Sequence, residues 1–153
     1  VGSRGSVVPF FKKLLTAGDQ SLPITDREMT RFWVTLPQGV DFVLSNLALM
    51  QGGEIFVPKI PSMKITDLAD ALSPGIKTHV IGIRPGEKLH ECMITCDESL
   101  QTIETDDRYI ILPFFIESWN QEIPSKRIES RMTYSSETNR EWLTTKQLQE
   151  MIR

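Results

Sequence analysis

Four short segments concentrate the residue types that hold small anions: Gly2-Ser3-Arg4-Gly5-Ser6, residues 25–32, residues 84–91 and residues 134–139. Each sits where the flanking pattern ends a strand or a helix. Free backbone N–H groups and the positive end of a helix dipole favour negative charge at such places. Arg31 and Arg84 add two guanidinium forks, each able to bind phosphate oxygens through two parallel hydrogen bonds, a geometry a lysine ammonium lacks. The composition suits a phosphate or diphosphate. The competing reading pairs these arginines with Asp26, Glu28 or Glu87 at the surface, where such ion pairs contribute about 0–1 kcal/mol.

Other chemistries have thinner support. No serine lies in a G-x-S-x-G elbow, and His79 and His90 read as satisfied structural residues rather than bases. Glu87 and Glu91, one turn apart if helical, form a carboxylate pair, or one is solvated while the other accepts from sugar hydroxyls or an arginine. Cys92, Cys96 and His90 would approach one helical face. A metal wants a third and fourth ligand of matching softness, and only His79 remains among the histidines, so two reduced thiols and no metal are the simpler expectation. Trp33, Trp119 and Trp142 read as packing, although an exposed ring could stack on a base. No dinucleotide-binding glycine fingerprint follows a strand.

The elements that must position these groups follow from hydrophobic spacing. Val7, Val8, Phe10, Phe11, Leu14 and Leu15 mark an amphipathic helix with Pro9 in its first turn, ended by Ala17-Gly18-Asp19. Residues 22–25 are extended, residues 31–34 are β-rich, and residues 36–50 form a second helix broken by Gly52-Gly53. A strand over 54–57 stops at Pro58. A helix over 64–72, capped by Ser62 or Thr66, ends at Ser73-Pro74-Gly75. Residues 78–83 are the next strand and 84–88 a loop leading into a helix through Leu89, Met93 and Ile94. A strand over 109–112, a loop over 114–132 and a helix over 144–152, capped by Thr144 or Thr145, complete the chain. Alternating helices and strands make the class α/β.

Seventeen Lys and Arg against 20 Asp and Glu give a net charge of -3, which argues against a general polyanion binder, so no nucleic-acid partner is expected. No apolar run approaches the ~20 residues of a bilayer span, and no secretory signal pattern opens the chain. A cytoplasmic protein with no membrane partner is the expectation. A chain of 153 residues fits one domain and needs no disulfide to hold its core. It opens Val1-Gly2-Ser3 without an initiator Met, which reads as a piece of a longer protein.

Taken in order, several motifs resemble a known family: Gly2-Ser3-Arg4-Gly5-Ser6-Val7-Val8-Pro9-Phe10-Phe11, Ile24-Thr25-Asp26 with Met29-Thr30-Arg31-Phe32, Gly53-Glu54-Ile55-Phe56-Val57-Pro58-Lys59, Arg84-Pro85-Gly86-Glu87-Lys88-Leu89-His90-Glu91, and Tyr134-Ser135-Ser136 with Asn139 and Trp142-Leu143. They are similar to the C-terminal half of the inverting UDP-N-acetylglucosamine 4,6-dehydratases, extended short-chain dehydrogenase/reductases that open the pathway to pseudaminic acid. The resemblance covers essentially the whole chain. It implies that residues 1–153 are the single-lobed C-terminal substrate-binding portion of an extended short-chain dehydrogenase/reductase (Rossmann-type) α/β fold, with the N-terminal dinucleotide-binding half absent. It implies an NADP-dependent lyase: oxidation at C4, loss of water across C5 and C6, and hydride return to C6 with inversion at C5. The product is UDP-2-acetamido-2,6-dideoxy-β-L-arabino-hex-4-ulose.

The family's catalytic residues and cofactor fingerprint lie in its N-terminal half, no Tyr-x-x-x-Lys pair occurs here in a suitable context, and so no catalytic residue carries over and the chain alone is expected to be inactive. The resemblance does carry over substrate contacts. Ser3, Arg4, Gly5 and Ser6 pass near cofactor and sugar diphosphate, Arg31 and Arg84 hold the diphosphate, and Glu91 accepts from the ribose, with uracil on main-chain groups near residues 22–25. The complete enzyme is expected to be a homo-oligomer. Two alternatives remain: a retaining dehydratase or epimerase, and a non-catalytic UDP-sugar-binding module.

Overall fold

The computed structural model describes residues 6–114, 124–128 and 131–152. Helix α1 (Val7–Thr16) starts at Ser6, carries Pro9 where a missing N–H does no harm, and stops before Gly18, whose φ of 90° suits glycine. Its buried residues are Val8 and Phe11. Strand β1 (Ser21–Ile24) alternates in burial and buries Leu22 and Ile24, and β2 (Thr30–Phe32) leads toward α2 (Leu36–Leu47). The start of α2 is fixed by a reciprocal cap in which the Thr35 hydroxyl accepts from the Gln38 N–H and the Gln38 side chain accepts from the Thr35 N–H.

Then follow β3 (Ile55–Pro58), β4 (Ser62–Lys64), α3 (Ile65–Leu72), β5 (Lys77–Val80) and β6 (Cys92–Ile94). A short 3-10 turn (Glu98–Gln101) precedes β7 (Thr102–Glu104), β8 (Arg108–Ile111), β9 (Lys126–Arg127), β10 (Tyr134–Ser135) and α4 (Thr145–Met151). Helix α4 repeats the reciprocal cap with Thr144 and Gln147 and buries Leu148.

Among the described residues these strands form four small sheets. Strands β1 and β5 pair in parallel, with Leu22 opposite Thr78, while β2 with β4 and β6 with β10 are antiparallel pairs. Strands β3, β8, β7 and β9 form a four-stranded antiparallel sheet in that order. The main core gathers Phe11, Leu22, Ile24, Met29, Met63, Leu68 and Leu148 from α1, β1, the approach to β2, β4, α3 and α4. A second cluster of Val57, Ile94, Ile111 and Tyr134 joins the larger sheet to the β6–β10 pair.

The alternation of helices and strands is the α/β class read from the sequence. Three local readings need correction. Residues 92–94 are strand, not helix, because the main chain of β6 finds its partner in β10. Neither Ser62 nor Thr66 caps α3: Lys64 stands at its N-cap with no side-chain hydrogen bond, and Ser62 is buried in β4. Within the segment read as loop over 114–132, Lys126–Arg127 pairs with β7, and Trp119 lies outside the described residues. Among the described residues no helix is long and apolar enough to cross a membrane.

Candidate functional site: a two-arginine cleft at the end of the parallel strand pair

The end of β1, the N-terminus of α1, strand β2 and the turn after β5 converge on one cleft of about 580 Å³. Ser6, Thr25, Arg31, Trp33, Arg84 and Glu87 line it, with Phe10, Phe11, Pro23 and Ile81 among the apolar wall. The volume lies within the range of small-ligand sites. The two arginines singled out in the sequence thus share one cavity although 53 positions separate them (84 minus 31).

The turn that presents Arg84 is built by its own sequence. Pro85 fixes φ, Gly86 takes a φ of 82°, and the Glu87 N–H donates to the Arg84 carbonyl at 3.0 Å, the pattern of a type II turn. The Glu87 carboxylate then accepts from the Arg84 N–H at 3.2 Å and from the Thr25 hydroxyl at 3.1 Å, which ties the turn to the end of β1. Parallel pairing runs one residue past β5, where the Ile81 N–H donates to the Ile24 carbonyl at 2.9 Å.

Arg31 and Arg84 differ in what they have left to give. The Arg31 guanidinium donates to the carbonyls of Thr30 at 2.7 Å, Lys88 at 2.8 Å and Leu89 at 3.0 Å, and its Nε lies 3.5 Å from Glu91 Oε1. It stitches β2 to the 88–91 segment. The Arg84 side chain is exposed and, among the described residues, its guanidinium has no hydrogen bond or ion pair. Glu91 faces Arg31 and is not among the cleft-lining residues. Ser6 stands at the N-cap of α1, and Ser3, Arg4 and Gly5 lie outside the described residues. The surface pairs considered for the arginines do not form: Asp26 accepts from the Glu28 N–H, and Glu87 holds Thr25 and the turn.

Two polar groups at the cleft wall are missed by residue type alone. Among the described residues the Ser6 hydroxyl and the Trp33 indole N–H are buried without a hydrogen-bond partner, and Trp33 is 5% exposed. Trp33 packs in the main core as expected, but nothing in the sequence shows that its N–H lacks an acceptor.

The C-terminal motif residues act as seams. The Tyr134 hydroxyl both accepts from the Ile60 N–H at 3.0 Å and donates to the Ile60 carbonyl at 3.1 Å, and burial pushes its pKa up, which keeps the donor proton in place. The Asn139 amide donates to the Ile60 carbonyl at 2.8 Å and to Ser62 Oγ at 3.0 Å. Cys92 and Cys96 are free and exposed, one on β6 and one beyond it. Among the described residues no group of three or more His, Cys, Asp or Glu side chains could hold a metal.

Fold and cleft together define an α/β lobe with a cleft carrying two arginines at the end of a parallel strand pair. Residues 1–113 match the family described as polysaccharide biosynthesis protein, and the chain belongs to that family. It is 52% identical over 162 aligned positions to the UDP-N-acetylglucosamine 4,6-dehydratase (inverting) of Campylobacter jejuni subsp. jejuni serotype O:2, covering 99% of this chain and 48% of that protein. A UDP-glucose 4-epimerase of Rickettsia rickettsii is 36% identical over 115 positions, covering 72% of this chain and 33% of that one. The X-ray structure of Pen from Bacillus thuringiensis superposes with a TM-score of 0.82 at 32% identity, covering 99% of this chain and 46% of that chain. The chain therefore spans about half the length of the curated relatives it matches.

Proposed function

We propose that this chain is the substrate-binding portion of an NADP-dependent UDP-N-acetylglucosamine 4,6-dehydratase of the inverting kind, a lyase of nucleotide-sugar metabolism and of pseudaminic acid synthesis in particular. The observation that carries the reading is the shared cleft: Arg84, whose guanidinium has no partner among the described residues, lines a cavity that Arg31 and the N-terminus of α1 also line. A pyrophosphate bridging these groups gains a charge-assisted bidentate contact and the favourable end of a helix dipole. Arg31 contributes positive potential and a fixed wall, since three main-chain carbonyls hold its guanidinium. The Ser6 hydroxyl and Trp33 N–H are donors awaiting acceptors on the same wall. Main-chain groups near residues 22–25 offer a place for the uracil, and Glu91, whose Oε1 faces Arg31, is the acceptor for the ribose.

The reading assigns these residues binding and orientation, not bond-breaking. The sequence holds no glycine fingerprint for the pyrophosphate of NADP, and the reading places most of the cofactor's site and the catalytic groups in sequence beyond this chain, with a homo-oligomer as the complete enzyme. The 52% identity to the Campylobacter jejuni enzyme supports the choice of UDP-N-acetylglucosamine over other nucleotide sugars.

The test is a chimera in which this chain replaces the matching part of the Campylobacter jejuni dehydratase. Loss of one water from UDP-N-acetylglucosamine, read by mass, with inversion at C5 read by NMR, is the expected result. A folded chimera that binds no UDP-sugar refutes the reading, and a product of unchanged mass favours the epimerase chemistry. The 153-residue chain alone is expected to bind UDP weakly or not at all in calorimetry, and submicromolar affinity would contradict a divided site.

A further inference from the structure

Beside the cleft, three separate segments meet in one continuous line of hydrogen bonds. The Glu91 N–H donates to Ser136 Oγ at 2.9 Å, Ser136 Oγ lies 2.7 Å from Thr30 Oγ1, and Thr30 Oγ1 lies 2.8 Å from His90 Nδ1. At the far end His90 Nε2 is 3.2 Å from Glu137 Oε2. Ser136 is 0% and Thr30 2% exposed, so neither hydroxyl has solvent to turn to.

The hydrogens along this line are assigned by elimination. Ser136 Oγ already accepts from Glu91, and among the described residues its own hydrogen has one acceptor in reach, Thr30 Oγ1. Thr30 therefore accepts from Ser136 and sends its hydrogen on to His90 Nδ1. A nitrogen that accepts carries no proton, so the ring hydrogen sits on Nε2 and points at the Glu137 carboxylate. Every group is then satisfied. A proton on Nδ1 makes Thr30 Oγ1 an acceptor from the ring, and one of the two hydroxyl hydrogens, that of Thr30 or of Ser136, is then left in a buried site with no acceptor among the described residues, an arrangement native proteins avoid.

We propose that His90 is a positioning residue for the cleft, acting as its Nε2–H tautomer to lock Thr30 and, through Ser136, the main chain of Glu91. Thr30 precedes Arg31 in β2, and its own N–H donates to the Leu89 carbonyl at 3.2 Å. The Ser136 N–H donates to the Glu91 carbonyl at 2.8 Å. The lock thus sets where β2 and the 84–91 segment meet, and with it the relative placement of Arg31 and Arg84. The charged group on the ring is Glu137 from the turn after β10, while Arg31 of β2 and Glu91 of the ring's own segment face each other at 3.5 Å. The lock concerns the geometry of the site; what the site binds rests on the function proposed above.

The test uses the 153-residue chain with 15N-labelled imidazoles, at about pH 8, above the ordinary histidine range near 6.5. Long-range 1H–15N spectra are expected to show His90 protonated on Nε2 and bare on Nδ1. A ring protonated on Nδ1 overturns the proposal. In hydrogen exchange, Ser136→Ala and His90→Ala are expected to speed the Glu91 amide by roughly tenfold or more relative to amides of α4. His90→Asn, which keeps an acceptor near the Nδ1 position, is expected to restore most of the protection. Unchanged exchange in Ser136→Ala refutes the lock, and the tautomer of the unmodified chain decides the matter if a variant fails to fold. The expected tautomer, together with a chimera that binds no UDP-sugar, would leave the lock standing and remove only the proposed ligand.

Discussion

Arg31 gives its guanidinium to three main-chain carbonyls and faces Glu91, whereas Arg84 stands exposed at the cleft with no partner for its guanidinium among the described residues. Substitutions at the two positions should therefore separate cleanly. Arg31→Ala removes hydrogen bonds from a charged donor, each class of which contributes about 1.5–3 kcal/mol, and should lower the Tm of the chain by several degrees in calorimetry. Arg84→Ala should leave Tm unchanged and raise KM for UDP-N-acetylglucosamine in the chimera by roughly tenfold to a hundredfold. Equal Tm losses at both positions would contradict the assignment. The residue types were legible in the sequence, since guanidinium groups beside Gly, Ser and Thr mark an anion site wherever the chain brings them together. Which arginine would be left free was not. That depends on where residues 88–91 run, and their carbonyls reach Arg31 only after β2 and the segment beyond β5 have come side by side.

At the scale of elements, helix α2 shows how little of an attachment can be read in advance. Its apolar residues predict a helix, and the cap of Thr35 with Gln38 places its start, yet the one residue it buries is Asn46. Arg108 of β8 reaches that side chain by donating to Asn46 Oδ1, lies 5.0 Å from the centre of the Phe42 ring, and is held in turn by Asp107. The hydrogen bond from Arg108 keeps the Asp107 carboxyl below its usual pKa. A carboxyl depressed in the folded state contributes stability above its unfolded value, and that contribution is lost as pH falls through the folded value. Asp107→Asn should accordingly lower the urea midpoint at pH 7 and have no effect well below the carboxylate range. A difference that persists in acid would show that charge is not its source. Helices α1 and α2 follow from spacing, and α4 from spacing and its cap, because those signals are local. Strand β6 does not: a run as short as residues 89–94 fits either period, and its partner β10 lies some forty positions away.

The molecule as a whole leaves apolar side chains exposed on α2 and at the end of β5. Val43 is 59% and Leu44 58% exposed on α2, with Val40, Leu47 and Met50 beside them, and Val80, Ile81 and Ile83 are exposed at and beyond β5. Apolar surface gathered on one helix promotes association. The chain is expected to sediment as a concentration-dependent mixture, and Val43→Glu with Leu44→Lys should return it to a single species. A wild-type chain that stays monomeric at high concentration would show that this surface is inert. The pairing of β1 with β5 carries a separate consequence for how the chain reaches its native state. Leu22 and Thr78 are 56 positions apart (78 minus 22), so the parallel ladder closes a long loop, while the hairpin of β7 and β8 closes a short one. Chain entropy makes the long closure the later and slower event. The cleft opens at the end of that ladder, so its walls come together only after this distant closure, later than the β7–β8 hairpin.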